Sequence, residues 1–413
     1  MNKKLITLAV AGAFAAPAAA LAQASNVQVF GTMYMEYAYA KQGQLGAGVN
    51  GIAPGGDLIN VDILQTPGSE VGIKGEEALG GGTTVWFQCT STADIRGAGT
   101  AGFCSRNSAI GLKGRFGNFY VGNWDMPMKK VAGTARITSD TGIWGVGRMM
   151  FGDSSTFANG NGGVGTAASG IAFSRRQNSS LHYDTPVFGG FQGFLGVSTT
   201  TQSIAQTTVS SGAKPRVWGV AGSYNNGPLY LTLGYENHSN FGPAAGLGGN
   251  VGTYSGTDTG WLAGAAYTFG PVKVGLLYSQ RKYDMSANGA TDLKITAWNL
   301  AGQWNIAGPH GLRGGYTRAN DTKGSFGTAI VPVQVGQSAG GGLVGNAGAG
   351  STGGSIYQIQ YVYSASKRTE FTAGYVALQN DSNARYTLGG LSAGTVQSGQ
   401  NQHAFAVSMK NTF

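Results

Sequence analysis

His403-Ala404-Phe405-Ala406-Val407-Ser408-Met409-Lys410-Asn411-Thr412-Phe413 puts Phe405, Val407, Met409 and Phe413 on one face of an extended strand and small or polar residues on the other. Alternation that runs to a last aromatic residue suits a strand with lipid on one side and water on the other. Such a strand must pair with the first strand of its sheet, because an open edge in a membrane leaves backbone groups unsatisfied. A half-buried strand of a soluble antiparallel sheet shows the same local pattern, and the rest of the chain decides between the two.

The alternation recurs along the whole sequence. Val27, Val29, Met33, Met35, Tyr37 and Tyr39 oppose Gln28, Thr32, Tyr34 and Glu36; Val71 and Ile73 oppose Glu70, Gly72 and Lys74; Leu181 and Tyr183 oppose Ser180, His182 and Asp184. It returns at Leu229 to Tyr235, Trp261 to Phe269, Val272 to Tyr278, Tyr357 to Tyr363 and Phe371 to Tyr375. Segments of about ten residues match a tilted strand crossing a bilayer, and few are continuous apolar runs, which argues against a parallel sheet buried on both faces. Tight Gly, Pro and Asn turns near 78–82, 113–117, 186–189, 225–228 and 269–271 alternate with long Gly/Ser/Thr/Asn-rich stretches at 41–68, 124–173, 199–215, 237–258 and 320–354. Short and long connections in turn are the signature of a barrel with brief periplasmic turns and larger external loops. The predicted fold is therefore all-β, a transmembrane antiparallel β-barrel of sixteen strands, with a margin of two. That is wide enough for an aqueous interior.

Composition agrees. Only 11% of the residues are charged, against about 25% in soluble domains, while Gly numbers 72 and Tyr and Phe 18 each. At the amino end Lys3 and Lys4, the apolar stretch Leu5 to Ala19, and small residues at Ala20-Leu21-Ala22 or Ala22-Gln23-Ala24 read as a secretory signal spanning 1–24, removed to leave a barrel domain at 25–413. The alternative, a membrane anchor, would need a longer apolar run. The formal charge of +9 falls to +7 when Lys3 and Lys4 leave. No Lys/Arg run marks a nucleic-acid footprint, so the excess is assigned to the barrel interior.

Several segments resemble, in order, the trimeric general-diffusion porins of the betaproteobacterial and neisserial type. Val27-Gln28-Val29-Phe30-Gly31 and Gly68-Ser69-Glu70-Val71-Gly72-Ile73-Lys74-Gly75 are similar to the first two strands of that family, and Ala109-Ile110-Gly111-Leu112-Lys113-Gly114 with Phe116-Gly117 and Val121-Gly122 to the fourth and fifth. Arg176 to Pro186 resembles the strand that follows the constriction loop, and Tyr361-Val362-Tyr363-Ser364-Ala365-Ser366-Lys367-Arg368-Thr369-Glu370 a late tyrosine strand and its turn. The family usually has Arg where Glu70 and Asn123 stand here, so charge selectivity does not carry over directly. The resemblance implies an outer-membrane homotrimer surrounded by lipid, without a cofactor, through which small hydrophilic solutes and ions diffuse passively. It also implies a long third external loop, roughly 124–173, folded into the barrel.

That loop carries Asp125, Asp140 and Asp153 with Arg136 and Arg148. Strand parity places Arg176 in the lumen beyond it, and Lys74 near Glu70. An acidic loop facing a basic wall would screen solutes by charge, as rings of charged side chains do in other channels. Arg106 shares the parity of Ile110 and Leu112 and is read as either a constriction residue or a rim residue whose head reaches water. Lys273, Arg281, Arg368, Glu370 and Lys410 face inward as vestibule charges. With Glu36, Glu70 and the loop aspartates opposing them, the expected result is a weak anion preference.

Chemistry on the barrel finds little support. His182, His238, His310 and His403 lack metal-ligand spacing and are expected to be solvated. Gly160-Asn161-Gly162-Gly163-Val164-Gly165 matches G-x-G-x-x-G without the strand, helix and βαβ context that gives the motif meaning. A surface receptor or adhesin using the long loops stays open as an alternative, and a barrel hydrolase is a more distant one. Cys89 and Cys104, the only two cysteines, would pass through an oxidising periplasm. A hairpin with Cys89 opposite Cys104, Phe87 opposite Arg106 and Val85 opposite Ser108 puts them within disulfide reach. The bridge would hold a loop rather than the pore; two unpaired thiols are the alternative.

Overall fold

A computed structural model describes residues 26–42, 59–97, 102–139, 141–152, 172–199, 216–240, 256–284, 291–324, 350–384, 386–391 and 399–413. The strands are β1 (Gln28–Gln42), β2 (Ile59–Gln65), β3 (Glu70–Gly80), β4 (Thr83–Thr92), β5 (Ser108–Gly114), β6 (Gly117–Asp125), β7 (Arg176–Asp184), β8 (Phe191–Ser198) and β9 (Arg216–Asn226). They continue with β10 (Leu229–Ser239), β11 (Thr257–Phe269), β12 (Val272–Tyr283), β13 (Leu293–Ala307), β14 (His310–Ala319), β15 (Gly354–Ser364), β16 (Thr369–Asn380) and β17 (Gln402–Thr412). Each pairs antiparallel with its neighbours, and β17 closes the sheet on β1, from Thr32 opposite Thr412 to Lys41 opposite His403.

The 17 segments make sixteen staves, because β2 and β3 lie end to end on the same edge of β1. Pro67 and Gly68 separate them, and proline has no N–H to give the ladder. Ser69 fills the break: its hydroxyl accepts from the Tyr34 amide at 2.9 Å and donates to the Tyr34 carbonyl at 2.8 Å. The β2 segment falls inside the stretch 41–68 that reads as loop in the sequence, and β10 and β11 extend to Ser239 and from Thr257, into the predicted loop 237–258.

The outer face is apolar. Val71, Ile73, Phe87, Ile110, Leu112, Leu231, Leu233 and Phe405 are exposed on it, as alternation predicts. Trp218, Tyr235 and Trp261 pack tilted against one another across three strands, with centroids 5.3 and 4.5 Å apart, well above the short turns. Phe188, Phe191, Phe269 and Phe413 sit exposed at the turn end. Two aromatic belts of this kind suit the two interfaces of a bilayer.

Inside, the described parts of the third loop, L3 (126–139, 141–152 and 172–175), leave β6 and turn into the barrel. L3 carries helix α1 (Pro127–Arg136) and the short helix α2 (Gly147–Phe151). Met128, Val131, Ala132 and Ala135 make one apolar face of α1, at i, i+3, i+4 and i+7 spacing, and Pro127 occupies its first turn, where no N–H is needed. That face packs on β8–β13, and α2 packs on β12–β14. The inward residues of the wall there are apolar in turn: Leu262, Leu277, Ile295 and Ala297 are fully buried with Met149, Met150, Phe151 and Phe173. Burying side chains of this size contributes about 1.5–3 kcal/mol each, so L3 lies on the wall as a second packed layer.

Candidate constriction

Backbone atoms of L3 are tied to the wall at several points. Glu36, on β1 and fully buried, accepts from the Ile143 amide at 2.8 Å, from Tyr34 Oη at 2.8 Å and from Gln65 Nε2 at 2.5 Å. On the far side Ser279 Oγ donates to the Met150 carbonyl at 2.5 Å, Arg281 Nη2 to the Met149 carbonyl at 2.9 Å, and Tyr230 Oη to the Val131 carbonyl at 2.9 Å. Lys130 holds Asp184 at 2.6 Å. A loop inside a barrel has carbonyls and amides that must find partners; these wall side chains supply them.

The tie points revise several sequence expectations. Glu36 and Arg281 do face inward, but L3 covers them, and they act on its backbone instead of on the open lumen. Arg148 is buried too. Its guanidinium donates to Thr387 Oγ1 and to the Leu388 carbonyl, the latter at 2.9 Å, joining L3 to the last external loop. Its guanidinium is spent on this tie and is buried away from solvent.

Asp125 and Arg176 do not oppose each other across the lumen. They are register partners at the ends of β6 and β7, with Arg176 Nη2 3.2 Å from Asp125 Oδ1. Lys129 approaches the same carboxylate at 3.7 Å, and Asn107 donates to it at 2.9 Å while accepting from Arg176 Nε at 2.5 Å. Loop acid and wall base neutralise one another at the root of L3. Asp140, Asp153 and the Gly160–Gly165 stretch lie outside the described residues, as does the segment 1–24.

Arg106 is inward. Its Nε lies 2.5 Å from Glu70 Oε2, which settles the ambiguity of its parity. Lys74 stands below that pair, over the Phe30 ring at 5.1 Å, in a turn-end vestibule that also holds Glu76, Trp86, Gln88 and Lys113. Lys113 pairs with Glu76 there.

The L3 tip leaves part of the wall uncovered. A gap of about 370 Å³ is lined there by Arg136, Thr138 and Ser139 of L3 and, facing them, by Arg313, Glu370 and Lys410. Arg136 is mostly buried, with Nε donating to the Thr138 carbonyl at 3.0 Å. Arg313 is 3.4 Å from Glu370. Lys410, the register partner of Glu370, is exposed, and among the described residues its ammonium has no hydrogen-bonded or ion-pair partner. Sequence reasoning placed Lys410 and Glu370 in a vestibule and did not single out Arg313. The signal was available, because Arg313 shares the parity of Gly311 and Gly315, opposite the apolar Leu312 and Tyr316.

Two histidines are buried rather than solvated. His182 Nε2 lies 2.8 Å from Ser180 Oγ and its ring stacks on Tyr120; His238 Nε2 lies 2.8 Å from Glu236 and stacks on Phe173. Both serve the covered wall. The cysteines are disulfide-bonded, with Cα atoms 4.8 Å apart, but not as ladder partners: β4 and β5 register Phe87 with Ile110 and Val85 with Leu112. That register matches apolar residues on the lipid face, whereas the predicted one would have set Phe87 against a charged Arg106. At the external end of β4, Asp94 accepts from Arg96 at 2.9 Å, and this bond pulls its carboxyl down to about 2; Arg96 also donates to the Leu64 carbonyl at 2.9 Å.

Among known proteins, the outer membrane porin protein 32 of Delftia acidovorans is 28% identical over 426 residues, covering 100% of both chains. A major outer membrane protein P.IB of Neisseria gonorrhoeae is 27% identical over 248 residues, 60% of this chain and 57% of that one. Of solved structures, an anion-selective porin from Comamonas acidovorans matches with a TM-score of 0.67 at 23% identity, covering 94% of this chain and 100% of that one. The trimer form of OmpT from Vibrio cholerae matches with a TM-score of 0.59 at 14% identity, covering 95% and 100%. A closed sheet with an apolar exterior, narrowed from within by a latched loop that leaves a charged gap, is a channel architecture. The Gram-negative porin family model matches residues 7–383, and the chain belongs to that family, the passive diffusion channels of the outer membrane.

Proposed function

We propose that the gap between the L3 tip and the uncovered wall is the filter of this channel, and that it passes small hydrophilic solutes and ions with a weak preference for anions. One observation carries the reading: on the uncovered wall two cationic side chains, Arg313 and Lys410, share the gap with a single carboxylate, Glu370. Two other acids of the described lumen are compensated, Glu70 by Arg106 and Asp125 by Arg176 and Lys129. An excess of one positive charge in an aqueous passage attracts counter-ions without trapping them. The sign agrees with the description of the Comamonas fold neighbour as anion-selective. In this reading the mature chain, 25–413 after removal of the signal 1–24, assembles in lipid as a homotrimer, as the Vibrio neighbour does in its trimer form, and needs no cofactor.

Reversal potentials in planar bilayers under a KCl gradient test it. The wild-type channel is expected to favour chloride weakly, and Lys410→Gln to lower the anion-to-cation permeability ratio by roughly twofold, the effect of one charge a few ångströms from the ion path in water. Strong cation preference in the wild type contradicts the reading.

A further inference from the structure

In β5 the residues Ile110 and Leu112 face outward, and a strand continued backward from them would point Ser108 and Arg106 outward as well. An arginine there would face lipid, where a cation is costly. The chain avoids this by leaving the ladder. Pairing of β4 with β5 ends at Gln88 opposite Ala109, and Cys104 takes a left-handed conformation at φ 56°. That backbone is unfavourable for a side-chain-bearing residue, so contacts must hold it.

Cys104 has them. Its sulfur is bonded to Cys89, an outward residue opposite Ile73, and its amide donates to Ser91 Oγ at 3.0 Å. Two residues on, the Arg106 amide donates to the Thr90 carbonyl at 2.8 Å, and Asn123 Nδ2 donates to the carbonyls of Ser105 and Arg106 at 3.2 and 3.0 Å. The reversed chain then delivers the Arg106 guanidinium to Glu70 at 2.5 Å and the Asn107 amide group to Asp125 and Arg176.

We propose that the Cys89–Cys104 disulfide is a positioning element of ion selectivity, which holds Arg106 turned into the lumen against Glu70. Without the bridge the 104–107 segment relaxes, Arg106 leaves Glu70, and a carboxylate stands bare on the pore wall. The inference rests on the channel reading above, but not on the sign of its selectivity, because its measure is a shift relative to wild type.

The test uses the full chain in planar bilayers, comparing reversal potentials of wild type, C89S/C104S, R106Q and the triple variant. Expected are open channels from all four, with C89S/C104S and R106Q each lowering the anion-to-cation permeability ratio by roughly two- to fourfold, the effect of uncovering one charge near the ion path. The triple variant should match R106Q, since the bridge acts through that side chain. A wild-type reversal potential in C89S/C104S alongside a shifted one in R106Q overturns the proposal, as does an unshifted R106Q. If wild type shows no anion preference while these shifts persist, the filter reading fails and this one stands. Should C89S/C104S not assemble, Asn123→Ala carries the test with the bridge intact: a smaller shift toward cations supports the held turn, and no shift overturns it.

Discussion

Along β11–β13 the inward side chains include Leu262, Leu277, Ile295 and Ala297, closed over by L3; along β3, β14, β16 and β17 they include Glu70, Lys74, Arg313, Glu370 and Lys410, which face the passage. Both walls obey the same alternation, and their outer faces are equally apolar. Facing inward is thus not the same as lining a pore: one wall is a packing surface for a loop, the other is the conduit. The charges divide in the same way. On the covered wall Glu36 and Arg281, with Arg148 of L3, satisfy backbone groups and reach no solute, whereas on the open wall Arg313 and Lys410 meet the solution.

The difference is most exposed to attack at Glu36. Replacing it with Ala strands the buried Ile143 amide, at about 1–3 kcal/mol for an unsatisfied group of this kind, and releases the L3 tip next to the gap. A marked rise in single-channel conductance and a lower unfolding temperature are expected, with Glu36→Gln in between because its amide oxygen still accepts from Ile143. Unchanged conductance in Glu36→Ala would show that the other ties alone position the tip.

Gly275 probes the opposite side of L3. A Cβ at this position would sit 2.1 Å from the Ala135 carbonyl oxygen, a backbone contact that no rotamer change relieves. Gly275→Ala should therefore push α1 off the wall, at the roughly 1–3 kcal/mol typical of overpacking, and raise conductance less than Glu36→Ala. The comparison position is Gly302, on the outward face of β13 beside Leu300 and Trp304, where the nearest such contact is 3.6 Å away; Gly302→Ala should leave conductance at the wild-type level.

The barrel was legible because period-2 alternation reports which face a residue occupies, and short turns at Asn225-Asn226-Gly227 or Phe269-Gly270-Pro271 report where strands reverse. Alternation reports neither depth nor what covers a face. The ties of Glu36 to Ile143 and of Arg148 to Leu388 join residues 107 and 240 apart in sequence, so no local pattern reveals them. The α1 helix was readable in principle from Met128, Val131, Ala132 and Ala135, but a Gly- and Ser-rich neighbourhood masked it. Parity failed at Arg106 for a different reason: it presumes an unbroken strand, and Cys104 breaks it.

The smallest effect expected lies outside both walls. Arg96 holds the Asp94 carboxyl at about 2, below the usual 3.8, so the pair contributes stability above the unfolded value that is lost as pH falls from about 4 through about 2. A surface pair of this kind is worth at most about 1 kcal/mol. Asp94→Asn should lower the unfolding temperature slightly at pH 6 and match wild type near pH 2, with conductance unaltered at either pH. A difference that persists undiminished at pH 2 would assign the stability to something other than the charged pair.

The division of the lumen is tested most directly by thiol accessibility, with single cysteines placed in a C89S/C104S background and a charged, water-soluble methanethiosulfonate reagent added to open channels. Lys410→Cys, exposed on the open wall, should react quickly and step the current down. Ser279→Cys and Asn299→Cys, whose native side chains are buried on the covered wall, should leave the current steady. Rapid block through Ser279→Cys or Asn299→Cys would contradict the account, because it would mean that L3 does not lie against that wall in the conducting channel.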